Sequence, residues 1–196
     1  MSHEKMVRVN KDFLKFIQDH FKLTNDNDEI ELVSFKADKI LMEQYKITRN
    51  VYLIKSGICK VYFEEENGKE YILEFLSTGE ILGELEIIRD EPCLCSVKAI
   101  VEVEAFKISK NYFLKLLNEN FALNKIIIHS FAERIINTSK KASHQKLYAI
   151  EYSLKKIIEM QKQNNVEISK SDLSAYLGIS VRTLNRSLKN LKDNPS

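Results

Sequence analysis

Four of the chain's five glycines, Gly57, Gly68, Gly79 and Gly83, fall inside a window of 27 residues, each at the end of a short apolar run. Glycine reaches positive φ without the Cβ penalty, so glycines at run ends mark places where the chain reverses. The runs around them, EIELVSF, NVYLIKSG, ICKVYFEE, EYILEFL and VEVEAFKIS, are rich in Val, Ile, Tyr and Phe and too short for core helices. In ICKVYF and EYILEF polar and apolar residues partly alternate, and the ENGK between them holds Asn67-Gly68, a strong signal for a tight hairpin. Residues from Glu29 to Ser109 are therefore expected to form one small antiparallel roll or barrel.

The texture changes on both sides of that unit. Before it, KDFLKFIQDHFKL puts Phe13, Ile17 and Phe21 at helical spacing, and the turn formers TNDND follow. After Ser109 neither glycine nor proline occurs until Gly178. Over this stretch Phe121, Ile128, Phe131, Ile135, Thr138 and Ala142 recur at near three- and four-residue steps, beside a second apolar row of Leu123 and Ile127. One long helix is expected over 111–143, with one face on the roll and the row Phe121, Ile128, Phe131, Ile135 and Thr138 on the same helix of a second copy. A helix buried within a monomer is the alternative.

The C-terminal stretch ISKSDLSAYLGISVRTLNRSLKNLKD reads as two capped helices. Ser169 can cap the first, Asp172 can complete a capping box, and Ile168 can staple to Leu173. Gly178 suits the left-handed position just past that helix. Ser180 then caps a second helix, Ile179 can staple to Leu184, and Leu184, Leu188 and Leu191 form its buried row, which makes a helix-turn-helix. The opposite face carries Arg182, Asn185, Arg186 and Lys189, with Ser180, Val181 and Thr183 at the helix start. Arginine can bridge guanine, asparagine can bridge adenine, and a helix N-terminus can hold a phosphate. A solvated amphipathic face is the plain alternative. Charge favours the nucleic-acid reading: residues 140–196 hold 11 Lys+Arg against 5 Asp+Glu, a net +6, whereas residues 1–139 hold 19 against 23, a net −4.

A β-roll, a long interface helix and a C-terminal helix-turn-helix, in that order, resemble the transcription regulators of the cyclic AMP receptor protein and FNR (CRP/FNR) superfamily. Two segments carry the resemblance: VYLIKSGICKVYFEEENGKEYILEFLSTGEILGELEII, with the family's strand, hairpin and Gly-Glu pattern, and LGISVRTLNRSLKNL, with its recognition helix. The EP after the Gly-Glu segment and Arg182 are similar to the YeiL-type subgroup. The implied fold is α+β: an antiparallel, cupin-like β-roll with flanking helices (1–110), a dimerisation helix (111–143) and a helix-turn-helix domain (144–196). The family pattern continues into a β-hairpin wing where this sequence reads LKDNPS, so the expectation is a domain cut before the wing, with weaker phosphate anchoring. The resemblance implies a homodimer on palindromic double-stranded DNA, with RNA polymerase as a further partner, and a hinge between Ala142 and Tyr148. Family members often carry Glu where Arg182 stands. Glu accepts from cytosine and Arg donates to guanine, so the half-site is expected to differ at that base pair.

The effector pocket implied by the resemblance lies around Gly83, Glu84, Leu85, Cys93, Leu94 and Cys95. In cyclic-nucleotide-binding members the Glu meets the ribose and a later Arg-Ser pair meets the phosphate; here Cys93 and Leu94 stand in those two places, and Arg89 comes too early. An unpaired phosphate in a partly buried pocket loses a charge-assisted bond, so cyclic AMP and cyclic GMP are disfavoured. The expected effector is something else, or none. Cys93 and Cys95 could form a strained disulfide or hold a soft metal, but the simpler expectation is small core residues, as for Cys59. His3, His20, His129 and His144 form no ligand pair, and His129 as a haem ligand is disfavoured. No metal or cofactor is expected, and no catalytic set argues for an enzyme. The charged N-terminus MSHEKMVRVNKDFLKF has no run fit for a signal or membrane span, and three cysteines suit a reducing compartment, so a cytoplasmic protein is expected. A sensor acting through protein partners, or a cyclic-nucleotide-responsive regulator, are the alternative functions.

Overall fold

The computed structural model describes residues 7–23, 29–147 and 150–193. The chain opens with β1 (Val7–Arg8) and α1 (Lys11–Leu23), then builds β2 (Ile30–Phe35), β3 (Ile40–Met42), β4 (Asn50–Ser56), β5 (Cys59–Glu64), β6 (Glu70–Leu76) and β7 (Ile81–Leu82). A short helix α2 (Glu84–Arg89) follows, then β8 (Ser96–Ala99) and β9 (Val103–Ser109). Helices complete the chain: α3 (Lys110–Glu119), α4 (Phe121–Leu147), α5 (Ile150–Asn164), α6 (Lys170–Leu177) and α7 (Val181–Asp193). The strands form two sheets, ordered β1-β6-β5-β8-β3 and β2-β9-β4-β7. All pairings are antiparallel except β1, which lies parallel to β6.

Each run expected as a strand is one, and its alternation sets which side faces inward. In β9, Val103, Ala105, Phe106 and Ile108 are buried while Glu104 and Lys107 lie nearer the surface. The β5–β6 hairpin closes with Gly68 donating to the Glu65 carbonyl, and Asn67 Oδ1 accepts from the Lys69 N–H. Gly68 alone in this turn has positive φ, so it is a type I turn with glycine at the bulge position, not a two-residue turn with both residues left-handed. Gly79 shows why glycine is needed: at φ 82° any Cβ would lie 1.7 Å from the Asn10 carbonyl oxygen.

Three apolar cores stack through the molecule. Leu41, Met42, Ile54, Leu76, Val97 and Val103 fill the space between the sheets. On one outer side, Phe13 and Ile17 of α1, Phe113 of α3 and Leu123 and Ile127 of α4 pack on Val51, Leu53 and Phe106. On the other, Ile58, Tyr62, Ile72 and Phe75 of the roll share a core with Leu154, Ile157, Ile168, Leu173 and Leu184 of the C-terminal helices.

Two expectations need correction. The single helix over 111–143 is two helices, broken at Asn120, whose Oδ1 accepts from the Ala122 and Leu123 N–H groups at 3.1 Å and so caps α4. Phe131, expected on the row facing a second copy, is half-buried against the first outer core. The hinge expected between Ala142 and Tyr148 runs into residues 148–149, outside the described residues.

The helix-turn-helix is seated on the roll by more than apolar contact. Phe75 meets Tyr176 with ring centroids 5.1 Å apart, and Lys60 Nζ donates to Asp172 at 2.6 Å and Glu70 at 2.5 Å. Burial pulls the Lys60 ammonium pKa down, but the bonds to Asp172 and Glu70 outweigh it and raise the pKa, so the cation is retained throughout the neutral range. Lys60→Met therefore leaves two carboxylates facing an apolar side chain. Because Glu70 is a third exposed, the expected loss is about 1–3 kcal/mol in urea unfolding, below that of a fully buried pair. Hydrogen exchange should speed up in α6 before it does in β9; equal protection in parent and variant would show that the bridge does not seat the helices.

Candidate functional site

Two constructions on this frame are candidates for function. The first is the outer face of α7. Ser169 caps α6 by accepting from the Asp172 N–H at 3.0 Å, Gly178 ends that helix at φ 67°, and Ser180 caps α7 by accepting from the Thr183 N–H at 3.1 Å. Asp172, placed in sequence to close a capping box, accepts a hydrogen bond from Lys60 Nζ through Oδ1. These local signals turn α7 so that Leu184 is fully buried, with Leu188 and Leu191 packed beside it. Arg182, Asn185, Arg186 and Lys189 are then all exposed along the other side, with Ser180 and Val181 exposed and Thr183 half-buried at its start. Among the described residues no ion pair engages Arg182 or Arg186. The face can donate hydrogen bonds and carry positive charge to a flat or grooved polyanion.

The second is a cavity of about 370 Å3 where the roll, α4 and the C-terminal helices meet. Of the residues named for an effector pocket, Gly83, Glu84, Leu85, Leu94 and Cys95 line this cavity, whereas Cys93 is buried in the core between the sheets. Gly83 holds φ 87° at the start of α2, with the Asn50 carbonyl oxygen 2.8 Å from where a Cβ would stand. That tight turn delivers Glu84 into the interior, 1% exposed.

Glu84 is met by Arg134 of α4, which pairs with it through Nη1 and donates from Nη2 to the Ile81 carbonyl at 2.8 Å. Burial pushes the Glu84 carboxyl above the usual carboxylate range, and Arg134 pulls the other way. A second arginine, Arg8, lies 2.8 Å from Glu80 and 3.1 Å from Glu74. Neither arginine was expected at this site. Arg89, the one near in sequence, is exposed and pairs with Glu91 at 2.6 Å. The signal that could have found Arg134 is the buried stripe of α4, which continues from Leu123 and Ile127 through Ser130 to position 134. Thr138, expected to face a second copy, lines the cavity with Asn137 and Ala142.

The cysteines behave as interior apolar groups. All three are unbridged and buried, and burial pushes the Cys59 and Cys95 thiols up to about 12 and Cys93 up to about 11. His129 is exposed on α4. Among the described residues no helix is long and apolar enough to cross a membrane.

Comparison with known proteins agrees with this geometry. The cyclic nucleotide-binding domain family matches residues 32–120, the roll with α2 and α3. The cAMP-activated global transcriptional regulator CRP of Salmonella typhimurium is 24% identical over 170 residues, covering 81% of both chains. A cAMP-dependent protein kinase regulatory subunit of Blastocladiella emersonii is 29% identical over 90 residues, 46% of this chain; the match spans only 22% of that relative. Among solved structures, the c-di-GMP responsive global regulator CLP of Xanthomonas campestris superposes with a TM-score of 0.72 at 17% identity, covering 84% of this chain and 87% of that one. A protein of the crp/fnr family from Eubacterium rectale gives 0.71 at 15% identity, over 94% of this chain and 84% of that one.

Proposed function

We propose, from the premise that this chain belongs to the CRP/FNR superfamily of transcription regulators, that it is a homodimer that reads palindromic double-stranded DNA through α7. The observation that carries this reading is the exposed row Arg182, Asn185, Arg186 and Lys189, turned outward by capping and by burial of Leu184. A guanidinium can span the O6 and N7 of guanine, and an amide the N6 and N7 of adenine. Two copies related by a two-fold axis would present two such helices to successive major grooves, about 34 Å apart. Selection of bound fragments from random duplex, followed by titration at several salt concentrations, tests the reading. A palindrome should emerge and its affinity should fall steeply with salt; a protein that selects no sequence would not be a regulator of this kind.

The two-fold contact is assigned to α4. Phe121, Ile128 and Ile135 are 73%, 65% and 68% exposed and recur every seven residues, the spacing that keeps one seam facing a partner helix. Ile128→Glu with Ile135→Glu should raise the dimer dissociation constant by more than about tenfold, because each copy would bury unpaired carboxylates. Analytical ultracentrifugation reads the outcome. An unchanged dimer would move the contact to another surface.

The cavity supplies the regulatory input in this reading. Its walls include Tyr152 of α5 and Tyr176 and Leu177 of α6, so a molecule held there touches the element that seats the helix-turn-helix. A ligand shifts such an equilibrium only by its differential affinity for the two seats.

A further inference from the structure

We infer that the cavity takes an uncharged, largely apolar small molecule carrying a neutral oxygen, and that it rejects cyclic nucleotides; this deepens the regulator reading and rests on it. Size and lining come first. At about 370 Å3 the cavity lies within the ordinary range for small ligands, roughly 300–1,000 Å3. Met42, Leu73, Leu85, Leu94 and Leu177 supply apolar wall, and tyrosines at 71, 152 and 176 add aromatic surface. Leu94 is 61% exposed and Leu85 43% exposed although both line the cavity, so apolar surface there is left uncovered by the protein itself.

The charges argue in the same direction. Among the described residues the cations of the lining are Arg8 and Arg134, and both already face carboxylates: Arg8 pairs with Glu74 and Glu80, Arg134 with Glu84. Glu86 adds a further carboxylate to the wall. An entering phosphate would have to take Arg134 from Glu84, leaving a buried carboxylate without a partner, or take Arg8 from the half-buried Glu74 and the buried Glu80, and either exchange opposes binding. A neutral oxygen asks for much less. The Nε of Arg134 is buried with no acceptor among the described residues, so the site holds a hydrogen-bond donor on a cation that Glu84 already neutralises. An alcohol, ketone or ester can use that donor after a small side-chain shift, and its carbon skeleton can cover the leucines.

The test uses the full chain without DNA, so its result is independent of whether α7 reads a duplex. Binding of the neutral dye N-phenyl-1-naphthylamine is followed by its fluorescence, and competition is then measured with 1-decanol, decanoate and cyclic AMP. The dye should bind, and 1-decanol should displace it at concentrations at least about tenfold below decanoate, because decanoate, unlike the alcohol, brings a charge into an apolar site where every cation among the described residues is already paired. Cyclic AMP at about 1 mM, where a weak ligand would register, should leave the dye in place. Leu85→Asp and Leu94→Asp, both at exposed positions and checked for parental melting, should each weaken the dye by about tenfold or more. The proposal is overturned if cyclic AMP or decanoate competes better than decanol, if the dye does not bind, or if both aspartate variants bind the dye as the parent does. Dye binding with no DNA selection would uphold the cavity assignment and reject the regulator reading; the converse pair of results would do the reverse.

Discussion

Arg134→Met should destabilise the chain by about 3–5 kcal/mol, among the largest losses expected from one substitution, because it removes the partner of a fully buried carboxylate. Glu84 is 1% exposed, and the same change removes the bond from Arg134 to the Ile81 carbonyl. The pH dependence follows from the direction of the Glu84 shift. Burial already raises its pKa in the folded state, so the folded chain holds a proton more readily than the unfolded one. Stability from this group is greatest in acid and falls as pH rises out of the ordinary carboxylate range. With Arg134 gone the carboxyl is pushed higher still, so the penalty should be largest near about pH 8 and should shrink toward about pH 5 as Glu84 is protonated. Glu84→Gln in the Arg134→Met background should recover most of the loss, since an amide buries at lower cost than a lone carboxylate. Urea unfolding at the two pH values decides the matter: a single variant within about 1 kcal/mol of the parent at both would mean that Glu84 is hydrated or otherwise paired, contrary to its burial.

The pair also shows which parts of the molecule are legible in a sequence. Signals that act over a few residues were readable: Gly68 after Asn67 in a hairpin, Ser169 and Ser180 at helix starts, Gly178 between them. Each works through its own backbone neighbours, so spacing is enough. Asn120 was missed because a helix can break on an asparagine cap with no glycine or proline to announce it. The strands β1, β3 and β7 escaped notice for another reason. At two or three residues they have no periodicity, and only partners elsewhere in the chain, such as Phe75 and Leu76 for β1, make them strands. The cavity is the extreme case. Glu84 was readable from the Gly-Glu pattern, but Arg134 lies 50 residues away and Arg8 near the start of the chain, and it is tertiary packing that sets them against their carboxylates. An arginine absent from the neighbouring sequence is thus no sign of a cavity without a cation. Among the described residues the cavity wall holds two cations, and both are engaged by acidic neighbours.

Arg186→Ala should weaken binding to the selected palindrome by about 2–6 kcal/mol, roughly 30- to 20,000-fold, since one bidentate base contact is worth about 1–3 kcal/mol and a homodimer loses two. The same change should leave the melting curve nearly unmoved, because Arg186 is exposed and the fold rests on Leu184 behind it. Position then separates two kinds of contact on this face. Arg182 and Arg186 are assigned to base edges, so replacing either relaxes the preference at one base pair of each half-site and spares the others. Arg182→Glu goes further and should exchange a preferred guanine for cytosine, because a carboxylate accepts from the cytosine amino group where a guanidinium donates to guanine. Lys189, seven residues beyond Arg182 and farther from the helix start, is assigned to phosphate. Lys189→Ala should weaken all duplexes about equally and lower the salt slope by about one for each copy. Fluorescence anisotropy on the palindrome, on single-base variants and on a scrambled duplex distinguishes these patterns. If Arg182→Ala and Arg186→Ala both hold the palindrome and the scrambled duplex as the parent does, α7 lies away from the bases and its polar face is solvated surface.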